Sequence, residues 1–76
     1  MRLKLIRLRE SMGFTQATFS AAIGTSRSHY SQIETGEKNP SLKLALAIKR
    51  ALSYNGDDIF FDQKRPETEL IKNTSG

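Results

Sequence analysis

Hydrophobic residues recur at helical spacing along most of this 76-residue chain, and the sequence shows no alternating pattern typical of a β-strand. Leu5, Leu8 and Met12 follow one another at intervals of three and four residues, which places them on one face of a helix over about Arg2 to Met12. A longer apolar stripe predicts another helix over Leu42 to Leu52. The inward positions of that helix are Leu44, Ala45, Ile48, Ala51 and Leu52.

Two short helices are predicted between these, over Gln16 to Ile23 and over Arg27 to Thr35. Each follows a hydroxyl residue that can cap a helix N-terminus, and each ends at a glycine, which readily adopts the left-handed conformation of a helix end. Helices this short are marginal in isolation, so packing has to hold them. The caps are Thr15 and Ser26, the glycines are Gly24 and Gly36, and the inward residues are Phe19, Ala22, Ile23, Tyr30 and Ile33.

The sequence after residue 52 is less regular. Asn55-Gly56 interrupts the helical pattern, and Asp57 to Phe60 predicts a short fifth helical turn that closes the core. Residues 63–76 are polar and weakly patterned, so we predict one domain over residues 1–62 and a polar, flexible C-terminal tail over residues 63–76. The predicted fold is an all-α, compact five-helix bundle.

The third predicted helix separates polar from apolar positions most clearly. At about 100° per residue, Tyr30 and Ile33 fall on the inward side. The opposite side presents Arg27, Ser28, Ser31 and Gln32. Such side chains can read base edges, because arginine matches guanine, glutamine matches adenine, and serine can donate or accept. An ordinary solvated helix face has a similar composition, so this pattern alone leaves both interpretations open.

Composition removes several classes of site. The chain has no cysteine, which excludes disulfides and thiolate metal sites, and its single histidine, His29, cannot form a metal site alone. We expect His29 at the surface, and Asp57, Asp58 and Asp62 resemble a metal cluster only superficially. The sequence shows no nucleophile–base pair or glycine-rich phosphate loop. We therefore expect no catalytic residue, enzyme activity, metal, cofactor or small-molecule substrate.

The sequence gives no sign of a membrane segment. No apolar run approaches the roughly 20 residues that span a bilayer. In the opening MRLKLIRLRE the charged residues are interleaved with the apolar ones, which indicates an amphipathic helix and not a signal peptide. We expect a cytoplasmic protein without a membrane partner.

The net charge of +4 is unevenly distributed along the chain. Residues 1–50 contain nine Lys and Arg against three Asp and Glu, whereas residues 51–76 contain three against five. A basic body suits a polyanion such as DNA, whose phosphates supply much of the binding free energy. Many basic domains bind no nucleic acid, so the charge is only supporting evidence.

Residues 8 to 60 resemble the Cro/repressor class of helix-turn-helix domains, also called the XRE family. The matching segments are LRESMGFTQ, IGTSRSHYSQIETGEKNPSL and DDIFF, in the family's order and spacing. The resemblance implies a five-helix bundle of the lambda-repressor-like type, in which helices 2 and 3 form the DNA-reading helix-turn-helix. It also implies a prokaryotic or phage transcription regulator, a repressor that binds an operator in double-stranded DNA as a homodimer.

The resemblance also implies roles for individual residues. Gln16 matches a glutamine that touches a phosphate and braces the reading helix. Arg9 and Glu34 match a partly buried ion pair between helices 1 and 3, a structural role. The positions implied to contact bases are Arg27, Ser28 and Gln32, and those implied to contact the DNA backbone, besides Gln16, are Ser26, Thr35 and Lys38.

The chain departs from the family pattern at a few positions. Ala17-Thr18 stand where acidic residues are common in helix 2, and Ser20 stands in place of a common alanine. Tyr30 replaces a more usual aliphatic residue, and we expect its hydroxyl near the rim of the core, within reach of a phosphate. These changes leave the fold expectation intact, but Ala17-Thr18 weaken the expectation of phosphate contacts from helix 2.

Apart from an enzyme, for which the sequence contains no catalytic pattern, two functions are open. A free-standing DNA-binding regulator agrees best with the residues above, and a controller protein of a restriction-modification locus is a close variant of it. An antitoxin or adaptor would use the same fold but would bind mainly a protein partner. Its partner-binding segment would have to lie in residues 63–76, where Leu70 and Ile71 are the only apolar anchors.

Overall fold

Four α-helices and one short 3₁₀ turn make up the part of the chain that the computed structural model describes, residues 1–61. The elements are α1 (Leu3–Ser11), α2 (Gln16–Ile23), α3 (Arg27–Thr35), α4 (Leu42–Leu52) and the 3₁₀ turn (Asp58–Phe60). The bounds predicted for the second, third and fourth helices agree with α2, α3 and α4. The predicted tail over residues 63–76 lies outside the described residues.

Hydroxyl side chains begin three of the helices. Thr15 caps α2 through a reciprocal pair of bonds: its Oγ1 accepts the backbone N–H of Thr18 at 3.0 Å, and the Thr18 Oγ1 accepts that of Thr15 at 2.9 Å. Ser26 and Ser41 cap α3 and α4 by accepting the N–H three residues later. Thr18, one of the departures from the family pattern, thus performs the task that glutamate commonly performs in a capping box.

Left-handed residues end α2 and α3. Gly24 has φ 79° and Gly36 has φ 92°. A Cβ atom at Gly24 would meet nothing within 4 Å, so the requirement for glycine in this turn is conformational and not steric. This turn sets the crossing of α2 and α3, the two helices expected to form the DNA-reading unit.

The core lies where the helices meet. The Phe19 ring packs edge-on against both Phe14 and Tyr30, with ring centroids 5.1 Å apart in each pair. This aromatic cluster joins α2 to α3 directly. The buried hydrophobic residues are Leu5, Phe19, Ile23, Tyr30, Ile33, Ile48, Leu52 and Ile59.

Two predicted inward positions are wrong. Met12 is 49% exposed because α1 ends at Ser11, so Met12 follows the helix as its C-cap and no longer continues the inward stripe. Ala22 is also exposed, because α2 buries Phe19, Ser20 and Ile23 instead. At the other end, α1 begins one residue later than predicted, and Arg2 precedes it as the N-cap.

The predicted fifth helix is a 3₁₀ turn within the described residues, so the five-helix expectation is not confirmed. The N–H of Phe60 binds the carbonyl of Asp57 at 3.0 Å, a bond between residues three apart. Such tight turns are used in short pieces. The turn still closes the core as expected, since Ile59 is fully buried.

The contacts between elements leave one side of α3 open. α2 packs against α3 and α4, while α1 packs against α3 and the 3₁₀ turn. α3 is therefore held from one side by two helices, which orients its other side outward. None of the helices in residues 1–61 has the length and apolar character needed to cross a bilayer.

Candidate nucleic-acid interface

The outward side of α3 is polar and accessible. Arg27 and Ser28 are exposed, and Ser31 and Gln32 are half-buried. The opposite side of the helix buries Tyr30, Ile33 and Glu34. The amphipathic arrangement expected from the sequence is thus present.

A shallow recess on this surface brings predicted residues from two helices together. Gln16, the first residue of α2, lies beside the polar side of α3. The recess is lined by Gln16, Arg27, Ser28, Ser31 and Gln32. We call these five residues the reading face. The other three residues expected to contact DNA, Ser26, Thr35 and Lys38, lie outside this recess.

A buried glutamate orients the reading face from beneath. Glu34 is 2% exposed, and its Oε2 accepts the Nε–H of Arg9 at 2.6 Å. Its Oε1 accepts a hydrogen bond from the Gln16 Nε2 at 2.8 Å. One carboxylate therefore joins α1, the start of α2 and α3, and it determines which way the Gln16 amide points.

Arg9 has two partners besides Glu34. Its Nη1 donates to the carbonyl of Phe14 at 2.8 Å, and its Nη2 lies 3.9 Å from the Oε2 of Glu10. Burial opposes the charge of Arg9, but the hydrogen bond and the attraction from Glu34 prevail and raise the pKa of the guanidinium above its ordinary value. Arg9 consequently carries its charge inside the fold and cannot offer it to DNA.

The expectation that the Tyr30 hydroxyl reaches the rim is wrong. The side chain is fully buried, and its hydroxyl lies within interaction distance of Glu34 and Arg9 without a hydrogen bond of good geometry in the described residues. Burial, reinforced by the Glu34 carboxylate, raises the pKa of the phenol well above its ordinary value. Tyr30 is therefore a core residue without a phosphate contact.

The residues expected to contact the DNA backbone differ in what they can offer. Lys38 is exposed, and its backbone N–H donates to the carbonyl of Gln32 at 3.2 Å, so it lies next to the end of the reading face. Ser26 accepts a bond as the cap of α3, which leaves its own hydroxyl proton available. The Thr35 hydroxyl donates to the carbonyl of Gln32 at 3.0 Å, so its proton is already used within α3.

His29 lies in a separate recess beside the turn between α2 and α3. It is partly buried, and the neighbouring residues in that recess include Thr25, Ser41 and Lys43. Within residues 1–61, no group of three His, Cys, Asp or Glu side chains is arranged to hold a metal ion.

The positive charges of the first 50 residues are not all available to a polyanion. Arg2 and Arg9 are buried, while Lys4 binds Asp58 and Lys49 binds Asp57. The Lys4 hydrogen bond, followed by that of Tyr54, lowers the pKa of Asp58. The exposed cations that have no carboxylate partner in the described part of the chain are Arg7, Arg27, Lys38, Lys43 and Arg50.

Sequence reasoning did not single out Arg2, which it named only as the start of the first predicted helix. Arg2 is 4% exposed and hydrogen-bonded on several sides. The signal was present in the spacing: Arg2 precedes the buried Leu5 by three residues and the buried Arg9 by seven, so all three share one face. A charged residue is ordinarily expected to be exposed, so its charge alone did not indicate that Arg2 is buried.

Comparison with known proteins gives consistent results. A protein-family model described as helix-turn-helix matches residues 5–59. The chain is 36% identical over 61 residues to the Bacillus subtilis protein named "Uncharacterized HTH-type transcriptional regulator YgzD", a match that covers 80% of this chain and 92% of the relative. An Archaeoglobus fulgidus protein named "Uncharacterized HTH-type transcriptional regulator" is 35% identical over 65 residues, covering 84% of this chain and 92% of the relative. No solved structure matches the chain significantly.

Proposed function

Because the chain belongs to the XRE-type helix-turn-helix family of DNA-binding transcription regulators, we propose that it binds double-stranded DNA sequence-specifically and acts as a cytoplasmic repressor. In this proposal α3 enters the major groove of an operator. The observation that carries it is the reading face, where the start of α2 and the open side of α3 form one polar surface. Its guanidinium, amide and hydroxyl groups are the kinds of group that recognise base edges.

Individual residues of the reading face have distinct tasks in this proposal. Arg27 is exposed and can donate two parallel hydrogen bonds to guanine O6 and N7. The Gln32 amide N–H can donate to adenine N7 while its carbonyl accepts from the N6 amino group, and the Ser28 hydroxyl can donate or accept. Ser31 lines the same recess and joins them as a further polar contact.

Gln16, Ser26, Thr35 and Lys38 form the proposed backbone contacts on either side of the reading face. Gln16 has one amide proton bound to Glu34 and a second for a phosphate oxygen. Lys38 supplies the charge, whereas Thr35 contributes least because its hydroxyl proton is used within α3. Phosphate contacts of this kind set orientation and register and carry little sequence information.

The distribution of cations limits the electrostatic part of binding. Three of the exposed cations without a carboxylate partner lie on α3 or beside it. Arg27 is the first residue of α3, Lys38 is bonded through its backbone to Gln32, and Lys43 lines the recess that also contains His29. We therefore expect log K to fall with log salt at a slope of about −3 per protomer. We also propose a homodimer that reads two half-sites, because two-fold pairs match palindromic operators.

Selection of bound sequences from random duplexes, followed by titration, tests the proposal. Arg27→Ala and Gln32→Ala should each weaken binding to the selected site by about 1–3 kcal/mol and relax preference at particular base positions. Lys38→Ala should weaken all duplexes equally and make the salt slope shallower by about one unit.

Arg50→Ala is the matched control for the loss of one positive charge, because Arg50 lines a recess that contains no residue of the reading face. This variant should bind like the wild type. An unchanged base preference in both Arg27→Ala and Gln32→Ala would show that α3 is not the reader. Selection that enriches no sequence would favour the protein-binding alternative.

A further inference from the structure

Arg2 lies where four parts of the described structure meet: the start of α1, the end of α3, the loop over residues 36–40, and the 3₁₀ turn. The residue is 4% exposed. Its backbone N–H donates to the carbonyl of Glu34 at 2.8 Å, which attaches the start of α1 to the last turn of α3. No part of the DNA-binding proposal uses this buried cation.

The guanidinium of Arg2 uses four of its five N–H groups. Its Nε donates to the carbonyl of Phe60 at 2.8 Å, and its Nη2 donates to the side-chain oxygen of Asn39 at 2.6 Å. Its Nη1 donates twice, to the carbonyls of Ile33 and Lys38. One planar group thus joins the start of α1, the end of α3 with the loop that follows it, and the 3₁₀ turn.

All four acceptors are neutral oxygens, and none is a carboxylate. The Ile33 carbonyl belongs to the last turn of α3, the end of the helix that carries the partial negative charge, and it also accepts the N–H of Gly36 at 3.2 Å. A planar guanidinium has its donors in a rigid fork, so it holds its acceptors in a defined arrangement. Arg2 therefore orients the groups around it as well as filling space.

The segment most affected by this arrangement is the loop that carries Lys38. The Lys38 backbone N–H binds the carbonyl of Gln32, and its carbonyl accepts from Arg2 at 3.1 Å. The next residue, Asn39, is held by the same guanidinium. The Lys38 backbone is thus fixed from both sides while its side chain remains exposed.

We propose that Arg2 is a positioning residue for DNA binding, which holds the loop over residues 36–40 so that Lys38 meets a phosphate beside the reading face. The inference rests on the proposed function, in which Lys38 contacts the DNA backbone. A loop already held in its bound arrangement loses little entropy on binding, so affinity depends on Arg2 although it does not touch DNA.

A double-mutant cycle on the selected duplex tests the proposal. Arg2→Met and Lys38→Ala should each weaken binding about fivefold to tenfold at 0.1 M salt and make the salt slope shallower by about one unit. The double variant should bind within about twofold of Lys38→Ala alone, because both changes remove the same contact. Additive losses, or an unchanged salt slope in Arg2→Met, would overturn the role of Arg2.

Hydrogen exchange on the free protein separates this inference from the proposed function. The Lys38 amide should exchange faster in Arg2→Met than in the wild type, whereas the Phe19 and Ile48 amides of the core should not. Arg7→Met, which replaces an exposed arginine of α1, should leave all three unchanged. If Arg2→Met fails to fold, Asn39→Ala removes one acceptor at an exposed position and should show the same effects at smaller size.

The two possible failures are then distinct. A wild-type protein that selects no duplex would overturn the proposed function, whatever the exchange data show. Lys38 exchange that stays unchanged in Arg2→Met, or in Asn39→Ala where the first variant is unfolded, would overturn the positioning role of Arg2 alone.

Discussion

Two arginines seven residues apart are buried to almost the same degree and are held in different ways. Arg9 is 7% exposed and binds the carboxylate of Glu34, whereas Arg2 is 4% exposed and binds only neutral oxygens. Their spacing places both on one face of α1. The contrast therefore arises from what each one meets in the rest of the fold.

The two arrangements distribute stabilisation differently. At the Arg9 site, Glu34 is the buried carboxylate in direct contact, and Glu10 lies 3.9 Å from the Arg9 Nη2, so removal of Glu34 leaves the buried cation with only a distant, exposed carboxylate. At the Arg2 site, the charge is shared among four oxygens, and the loss of any one is partly covered by the others. The first is a pairwise interaction that holds the helices together, and the second orients a loop.

Each arginine also supports one flank of the proposed DNA surface. Glu34 connects the Arg9 site to Gln16 at the start of α2. Arg2 connects to the loop that carries Lys38 beyond the end of α3. The interior charges thus support the reading face from both ends while the exposed charges remain for DNA.

The largest effect should come from breaking the pair at Arg9. Glu34→Ala should lower the free energy of unfolding by about 3–5 kcal/mol, because it leaves a buried guanidinium without its carboxylate. Denaturant unfolding measures this value. Glu37→Ala, at an exposed glutamate nearby, should change stability by less than about 0.5 kcal/mol. Equal values for the two variants would mean that Arg9 is solvated.

Removing Arg2 should cost less. Arg2→Met should lower the free energy of unfolding by about 1–3 kcal/mol, because the carbonyl oxygens that accept from Arg2 lose that hydrogen-bond donor. A double-mutant cycle sharpens the comparison: Arg2→Met and Asn39→Ala should couple by less than about 1 kcal/mol, and Arg9→Met and Glu34→Ala by more than about 2 kcal/mol. Similar coupling energies at both sites would remove the distinction between them.

Alkaline pH should act on the Arg9 site through Tyr30. Below about pH 10 the phenol is protonated in both the folded and the unfolded chain. Above that pH the unfolded chain loses the proton while the folded chain keeps it, because the folded pKa is raised. Stability should then fall by up to about 1.4 kcal/mol per pH unit. Tyr30→Phe should lack this contribution, and an identical pH profile in the two proteins would contradict the assignment.

The smallest expected effects are opposite in sign. Tyr30→Phe at pH 7 should stabilise the fold by up to about 1 kcal/mol, because it removes a buried hydroxyl that makes no hydrogen bond. Tyr54→Phe should destabilise it by about 1 kcal/mol, because the Tyr54 hydroxyl donates to Asp58 at 2.8 Å. Thermal melts of both variants measure the difference. A loss of stability in Tyr30→Phe would show that its hydroxyl is bound.

Much of the helical layout could be predicted because its signals are local. The capping hydroxyls of Thr15, Ser26 and Ser41 and the left-handed glycines at residues 24 and 36 act within one turn of the helix ends that they define. The polar side of α3 follows from helical periodicity in the same way. The last element of the described residues, predicted as a helical turn, has 3₁₀ geometry, because a single turn contains too few positions for the sequence to distinguish 3₁₀ from α geometry.

What the sequence determined by itself was which segments of residues 1–61 are helical, where α2, α3 and α4 begin and end, and which side of α3 is polar. What only the tertiary structure decided was which charged and polar groups lie inside. Arg2 reaches oxygens 37 and 58 residues away, in Asn39 and Phe60, and the Tyr30 hydroxyl ends among Glu34 and Arg9. Helix periodicity depends only on neighbours along the chain, whereas the burial of a polar group depends on where distant segments meet. Whether an arginine on an apolar helix face is buried or solvated is therefore decided only when the fold supplies its hydrogen-bond acceptors.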